Sequence, residues 1–96
     1  MKLFAVIRTF GGAWNPSLPL EQQQEWAEHA SFMTTLENEG FVLLGGPLEG
    51  ASEALLIFRA GSAEEILDRL QQDPWSKSGT LRVTKIAPWT LRMGSI

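Results

Sequence analysis

The sequence predicts an α+β fold: a single βαββαβ unit whose four-stranded antiparallel sheet carries two helices on one face. Four segments rich in strand-forming residues alternate with two segments of helical apolar periodicity. The chain has 96 residues, which is enough for one hydrophobic core. Its 44% hydrophobic and 20% charged residues are typical of globular proteins. Residues 1–96 are therefore predicted to form one domain.

The first strand and the first helix are predicted over residues 3–10 and 19–39. Apolar residues occupy both alternating sets of the strand, which indicates burial on both faces. Pro19 suits the first turn of a helix, and Gly40 suits the left-handed residue that ends one. An apolar stripe recurs at three- and four-residue spacing along this helix, so the only histidine, His29, is predicted to face inward.

A hairpin is predicted in the middle of the chain. Its strands span residues 41–44 and 54–59, and they are joined by a loop longer than two residues. The first of them runs into Gly45-Gly46-Pro47.

The second helix is predicted to begin at a capping box. In it, the Ser62 oxygen accepts from the Glu65 amide while the Glu65 side chain reaches back to the Ser62 amide. The helix should stop by Asp73, since the proline that follows disfavours helical geometry there. A last strand over residues 80–91 changes its alternation before Pro88, which indicates a bulge or an edge position.

Two helices can cover only one face of such a sheet, and the other face still carries apolar side chains. A patch of this kind exceeds what monomers tolerate in water. A second sheet from an identical subunit would cover it most economically, so the sequence predicts a homodimer through the open sheet face.

Composition excludes several classes of function. A net charge of −3 with eight scattered Lys and Arg residues gives no basic stripe for nucleic acid. The sequence contains no apolar run that approaches a membrane span, and its start leads directly into a strand instead of a signal peptide, so no membrane partner and a cytoplasmic location are expected. The absence of cysteine fits a reducing compartment and excludes thiolate catalysis and iron–sulfur sites.

Three motifs in order carry a resemblance to a known family. Trp26-Ala27-Glu28-His29-Ala30, Gly45-Gly46-Pro47 and Gln72-Asp73-Pro74-Trp75 resemble the YCII-related (YciI-like) proteins. The resemblance implies a ferredoxin-like unit that pairs as a dimeric α/β barrel, with His29 and Asp73 as a proposed active-site pair. Most members have no assigned reaction, and some relatives dehalogenate or isomerise compounds derived from aromatic rings. The resemblance therefore implies little about the substrate, and it does not carry an activity over with the fold.

His29 and Asp73 are the candidate catalytic residues. A histidine moves protons near neutral pH, and a carboxylate on one ring nitrogen fixes the tautomer and raises the basicity of the other. The alternatives are a hydrogen-bonded core histidine and an aspartate that only forms a turn before proline.

The candidate ligand-binding residues are of three kinds. Gly45-Gly46-Pro47 would let a ligand approach backbone amides, or it forms a bulge at a strand end. Trp14 and Trp75 could wall a pocket for a planar ligand, although tryptophan is also common in cores and interfaces. The guanidinium of Arg8 could hold a ligand carboxylate, or it extends from the strand end or pairs with a glutamate.

The sequence thus predicts a cofactor-free, enzyme-like dimer that acts on a small cyclic or aromatic organic acid bound between the first helix and the sheet. One histidine without cysteine cannot make the usual zinc site, and no metal is expected. Motifs for nucleotide binding and for a serine hydrolase are missing. The rival is a non-catalytic module that binds a small ligand or a partner. A third possibility is haem ligation by His29, as in some dimeric α/β barrels, which colourless purified protein would contradict.

Overall fold

The computed structural model describes residues 1–96 as a four-stranded antiparallel sheet with helices on one side. The elements in chain order are β1 (Lys2–Phe10), a 3-10 helix (Leu20–Gln22), α1 (Trp26–Asn38), β2 (Val42–Leu48), β3 (Glu53–Ala60), α2 (Ala63–Leu70), α3 (Pro74–Ser78) and β4 (Leu81–Trp89). The strand order is β2-β3-β1-β4. The predicted α+β class and strand count are confirmed. No helix combines the length and apolarity that crossing a membrane requires.

The hydrophobic core lies between the sheet and the helices. Phe4 and Val6 of β1 pair with Phe58 and Leu56 of β3, and all four side chains are buried. The helices contribute Leu36, Ile66 and Leu70 to this core. Strand alternation therefore sends Arg8, two residues beyond Val6, to the helix-covered face.

The prediction of one helix over residues 19–39 is wrong in its first third. Leu20–Gln22 form a 3-10 helix, and Glu25 adopts a left-handed conformation with φ of 63° before α1 begins at Trp26. The physical reason is local: the apolar stripe begins only at Trp26, and the buried Gln23 side chain bonds to the preceding loop instead of lying on a helix surface.

The helix ends follow the predicted chemistry with two corrections. Gly40 has φ of 75°, as expected for the residue that ends α1. Ser62 accepts from the Glu65 amide at 3.2 Å, but Glu65 accepts from the Gly61 amide instead of the Ser62 amide. A third helix, α3, which was not predicted, follows Asp73, because proline is well suited to the first position of a helix.

Both edge strands differ in length from the prediction. β2 continues through Gly45-Gly46-Pro47 to Leu48, so this motif lies within a strand and not after one. Proline is tolerated there because β2 is at the sheet edge. β4 is the other edge, and its register against β1 shifts so that Thr84 has no partner residue. The predicted bulge and edge position are both present.

Candidate active site

A cavity of about 450 Å³ lies between α1, the helix-covered face of the sheet and the loop after β1. Most of its lining residues are apolar. The sequence-predicted site residues that line it are Arg8, Trp14, His29, Gly45, Gly46, Pro47 and Trp75. Asp73 lies directly behind His29 and is fully buried. The structure thus brings every predicted site residue to one place.

His29 is held by Asp73 through one side of its ring. Nδ1 is 3.0 Å from Oδ1 and 2.9 Å from Oδ2 of Asp73. The opposite nitrogen, Nε2, has no protein partner and is not sealed away, since the Nε atom of Arg8 is the only side-chain nitrogen or oxygen that is both buried and unpaired. With Nδ1–H donated to the carboxylate, the Nε2 lone pair is directed away from Asp73 and is free to accept a proton.

Asp73 is the centre of a buried polar cluster. Its oxygens accept hydrogen bonds from the Arg8 guanidinium at 2.8 Å and from the Trp75 amide at 2.9 Å, in addition to the contact with His29. The amide contact caps α3, so the turn-forming role and the histidine contact coexist. Burial by itself raises the pKa of Asp73, but the His29 hydrogen bond, the Arg8 charge and the Trp75 amide together outweigh it and lower this pKa below its usual value.

Arg8 does not extend to solvent from the strand end, and its partner is an aspartate instead of a glutamate. The residue is 1% exposed, with Nη1 bonded to Asp73 and Nη2 bonded to the Ser76 hydroxyl at 2.8 Å. Its Nε is buried without a partner. The charge of Arg8 is therefore balanced inside the protein by Asp73.

Aromatic rings hold the histidine and form one wall of the cavity. The His29 ring stacks on Trp75 with centroids 3.9 Å apart and 7° between planes. Trp75 is itself buried, and its indole N–H donates to the Gln24 carbonyl. Trp14 stacks on Phe10 and meets Trp75 edge-on at 5.8 Å. The bond to Asp73 and the stacked ring of Trp75 leave the imidazole little freedom to rotate.

The Gly45-Gly46-Pro47 motif lines the cavity from the sheet edge. A side chain at Gly45 would press on Leu56, with a Cβ only 3.4 Å from its nearest atoms. At Gly46 the space is open. Gly45 and Gly46 therefore add no side-chain atoms to the part of β2 that lines the cavity.

Three polar residues of this region were not predicted. Ser76 supports Arg8, Glu37 lines the cavity on the same face of α1 as His29, and Gln23 holds the loop before α1. Only Glu37 had a sequence signal, since it is eight residues after His29 and hence on the same helix face. Gln23 lies in a run of glutamines with nothing to distinguish it.

Gln23 clamps the loop that carries Trp14. The backbone amide of Asn15 donates to Gln23 Oε1 at 2.9 Å. Gln23 Nε2 donates to the backbone carbonyls of Asn15 and Leu18. The side chain is buried, with 4% exposure. Because Trp14 directly precedes the clamped residue, this glutamine positions the outer wall of the cavity.

We expect Gln23→Ala to free this loop. Loss of three partly buried hydrogen bonds should cost about 1–3 kcal/mol of unfolding free energy. The backbone amide of Asn15 should exchange with solvent markedly faster. Urea unfolding and hydrogen exchange by NMR measure both. Gln22→Ala, at the exposed neighbouring position, is the matched control. Equal exchange of the Asn15 amide in the two variants would contradict the clamp.

A metal ion and a haem are the two groups that the single histidine could ligate. No group of three or more His, Asp or Glu side chains is arranged to hold a metal ion. A haem would find one imidazole nitrogen, but the only cationic side chain of the lining, Arg8, is already paired and could not serve its propionates. The lining does not fit haem.

Comparison with known proteins identifies the family of this chain and two proteins of similar fold. The model of a family described as YCII-related domain matches residues 7–90. 5-Chloro-2-hydroxyhydroquinone dehydrochlorinase (TftG) from Burkholderia phenoliruptrix AC1100, solved with 2,5-dihydroxybenzoquinone, is 24% identical, with a TM-score of 0.63 over 92% of this chain and 93% of that one. Muconolactone isomerase is 21% identical, with a TM-score of 0.69 over 98% and 94%. Both neighbours are dimeric α/β barrels, so the predicted fold class is confirmed. The search among curated proteins yields no match.

Proposed function

The chain belongs to the YCII-related family, and we propose that it is a cofactor-free enzyme of the isomerase or lyase type. In this proposal His29, oriented by Asp73, moves a proton on a small cyclic or aromatic compound. The observation that carries the proposal is the His29 ring, which is bonded to a buried carboxylate through Nδ1 while Nε2 is unpaired beside an apolar cavity.

The proposed chemistry needs only this one base. Nε2 takes a proton from the substrate, and the electron pair left behind enters the ring system. Return of the proton to another atom completes an isomerisation. Departure of a halide with the electron pair completes an elimination, and the proton is then released to water. Asp73 stabilises the imidazolium that forms in either case.

The structural neighbours support the choice of reaction type. One is named as a dehydrochlorinase and the other as an isomerase. A single base can begin either kind of reaction by removing a proton from a small molecule. Their identities of 24% and 21% argue for the fold alone, so the support for His29 as the base comes from its geometry.

We also propose that the chain forms a homodimer through the open sheet face. Leu44 and Trp89 are 56% and 39% exposed. Strand register places Leu44 beside Ile57 and Trp89 beside Leu3, on the face opposite the helices. Burial of this face against an identical one would remove a continuous apolar surface from water. Sedimentation equilibrium tests the proposal, and a monomer at micromolar concentration would contradict it.

The test of the proposed function is turnover of a small panel of ring compounds. 5-Chloro-2-hydroxyhydroquinone and muconolactone represent elimination and isomerisation, and chloride release and ultraviolet absorbance follow the two reactions. Turnover in proportion to enzyme concentration supports the proposal. Ligands that bind in the cavity without being converted would favour the binding-only module.

NMR of the single histidine tests the coupled pair. We expect the ring nitrogen signals of wild-type His29 to show the proton on Nδ1, because Nδ1 lies 2.9 Å from the Asp73 carboxylate. A proton found on Nε2 instead would contradict the role of that nitrogen as the base.

A further inference from the structure

The charges around the cavity specify the kind of ring compound that it accepts. Resting on the proposed function, we infer that the cavity takes an uncharged ring compound with a hydroxyl group and discriminates against the matching carboxylate. Glu37 is a specificity-determining residue for this choice.

The first step is the supply of positive charge. Arg8 is the only lysine or arginine among the lining residues. Its Nη1 is bonded to Asp73, its Nη2 is bonded to Ser76, and its Nε is sealed from solvent. The cation is thus balanced by Asp73 and has no open face for a second anion. A carboxylate ligand would find no arginine to pair with.

The second step is the cost of an unpaired anion. The lining is mostly apolar, with aromatic rings from Trp14, Trp26 and Trp75. Moving a carboxylate from water to such surroundings is strongly unfavourable without a cation. Protonated His29 could supply one, but the protonated ring no longer accepts a proton. A carboxylate placed there would therefore block the proposed reaction.

The third step is the acid on the cavity wall. Glu37 lines the cavity, is exposed and takes part in no ion pair. It follows His29 and Met33 at four-residue intervals, so the three side chains share one face of α1. Its negative charge repels an anion that enters along this face, although solvent screens part of the effect.

A hydroxyl group meets none of these obstacles. An uncharged hydroxyl can donate its hydrogen bond to the free Nε2 of His29, which is also the first step toward transferring that proton. The planar remainder of the ligand suits the aromatic wall beside Trp75. The organic acid expected from the sequence is thereby narrowed to one whose acidic group is a ring hydroxyl.

The test compares two probes of the same size, para-hydroxybenzamide and para-hydroxybenzoate, by calorimetry and NMR at neutral pH. We expect the amide to bind about tenfold more tightly or better. In Glu37→Gln this preference should fall by about twofold to threefold. Glu28→Gln, an exposed charge on α1 outside the cavity lining, is the matched control and should keep the preference.

Each other outcome overturns part of the inference. Equal or tighter binding of the carboxylate at neutral pH overturns it. An unchanged preference in Glu37→Gln removes the role of Glu37. Binding of neither probe at millimolar concentration overturns the inference together with the proposed cavity ligand. The expected preference without turnover of 5-chloro-2-hydroxyhydroquinone would instead defeat the enzymatic proposal and leave the charge selectivity standing. Muconolactone carries a carboxylate, so under this inference it should be converted poorly.

Discussion

His29→Asn lowers the turnover number for the ring compound that the panel identifies by about 10²–10⁴-fold, the usual contribution of a general base. The asparagine amide can occupy the place of Nδ1 and still donate to Asp73, but it provides no counterpart of Nε2. Binding should change much less than turnover, because the cavity walls stay in place. Steady-state kinetics measure both parameters.

The control for this variant is Met33→Leu, a conservative change of the next cavity residue along α1. It alters the wall without touching the proton path, so turnover should change only modestly. A thermal melt of each variant separates loss of chemistry from loss of folded protein. Undiminished turnover in folded His29→Asn would remove this histidine from the mechanism.

Asp73→Asn is expected to have the largest effect on stability, a loss of about 3–5 kcal/mol of unfolding free energy. The substitution leaves the buried Arg8 charge without its counterion. It also replaces a carboxylate that accepts from three groups with an amide that has a single acceptor oxygen. Urea unfolding at neutral pH measures the loss.

The unfolding free energy that is lost in Asp73→Asn should become smaller as the pH falls. The pKa of Asp73 is lowered in the folded protein. Its ionised form therefore stabilises the fold fully at pH values above the ordinary aspartate pKa of about 4. That contribution is lost as pH falls through the lowered value. The gap in unfolding free energy between wild type and Asp73→Asn should therefore narrow in acid. A gap that is constant down to low pH would contradict the assigned cause.

Two further variants separate the ion pair from general damage. Asp68→Asn makes the same substitution at an exposed position on α2 and should cost little. Arg8→Met combined with Asp73→Asn removes both buried charges, so it should be more stable than Asp73→Asn alone. If Arg8→Met restores no stability to Asp73→Asn, the uncompensated charge of Arg8 is not the main cause of the lost unfolding free energy.

The amino-acid sequence by itself determined the order of the four strands and the two longer helices, α1 and α2, and much of their chemistry. Local signals decide these features. They are the apolar periodicity of α1, the glycine at its end, the serine cap of α2 and the apolar alternation of β4, which changes phase at the bulge. Such signals act over a few residues, and each has a direct physical cause in backbone geometry or capping. The inward position of His29 followed from the same periodicity.

The tertiary structure alone decided what His29 and Arg8 contact. Asp73 is 44 positions from His29 and 65 positions from Arg8, and no local pattern carries information across such separations. Helix packing against the sheet brings the three together because a buried charge is tolerated only with partners that offset its desolvation. The Gln23 clamp and the 3-10 helix before α1 also escaped prediction, because hydrogen bonds from the Gln23 side chain to the loop five to eight residues earlier override the helical preference of a polar segment.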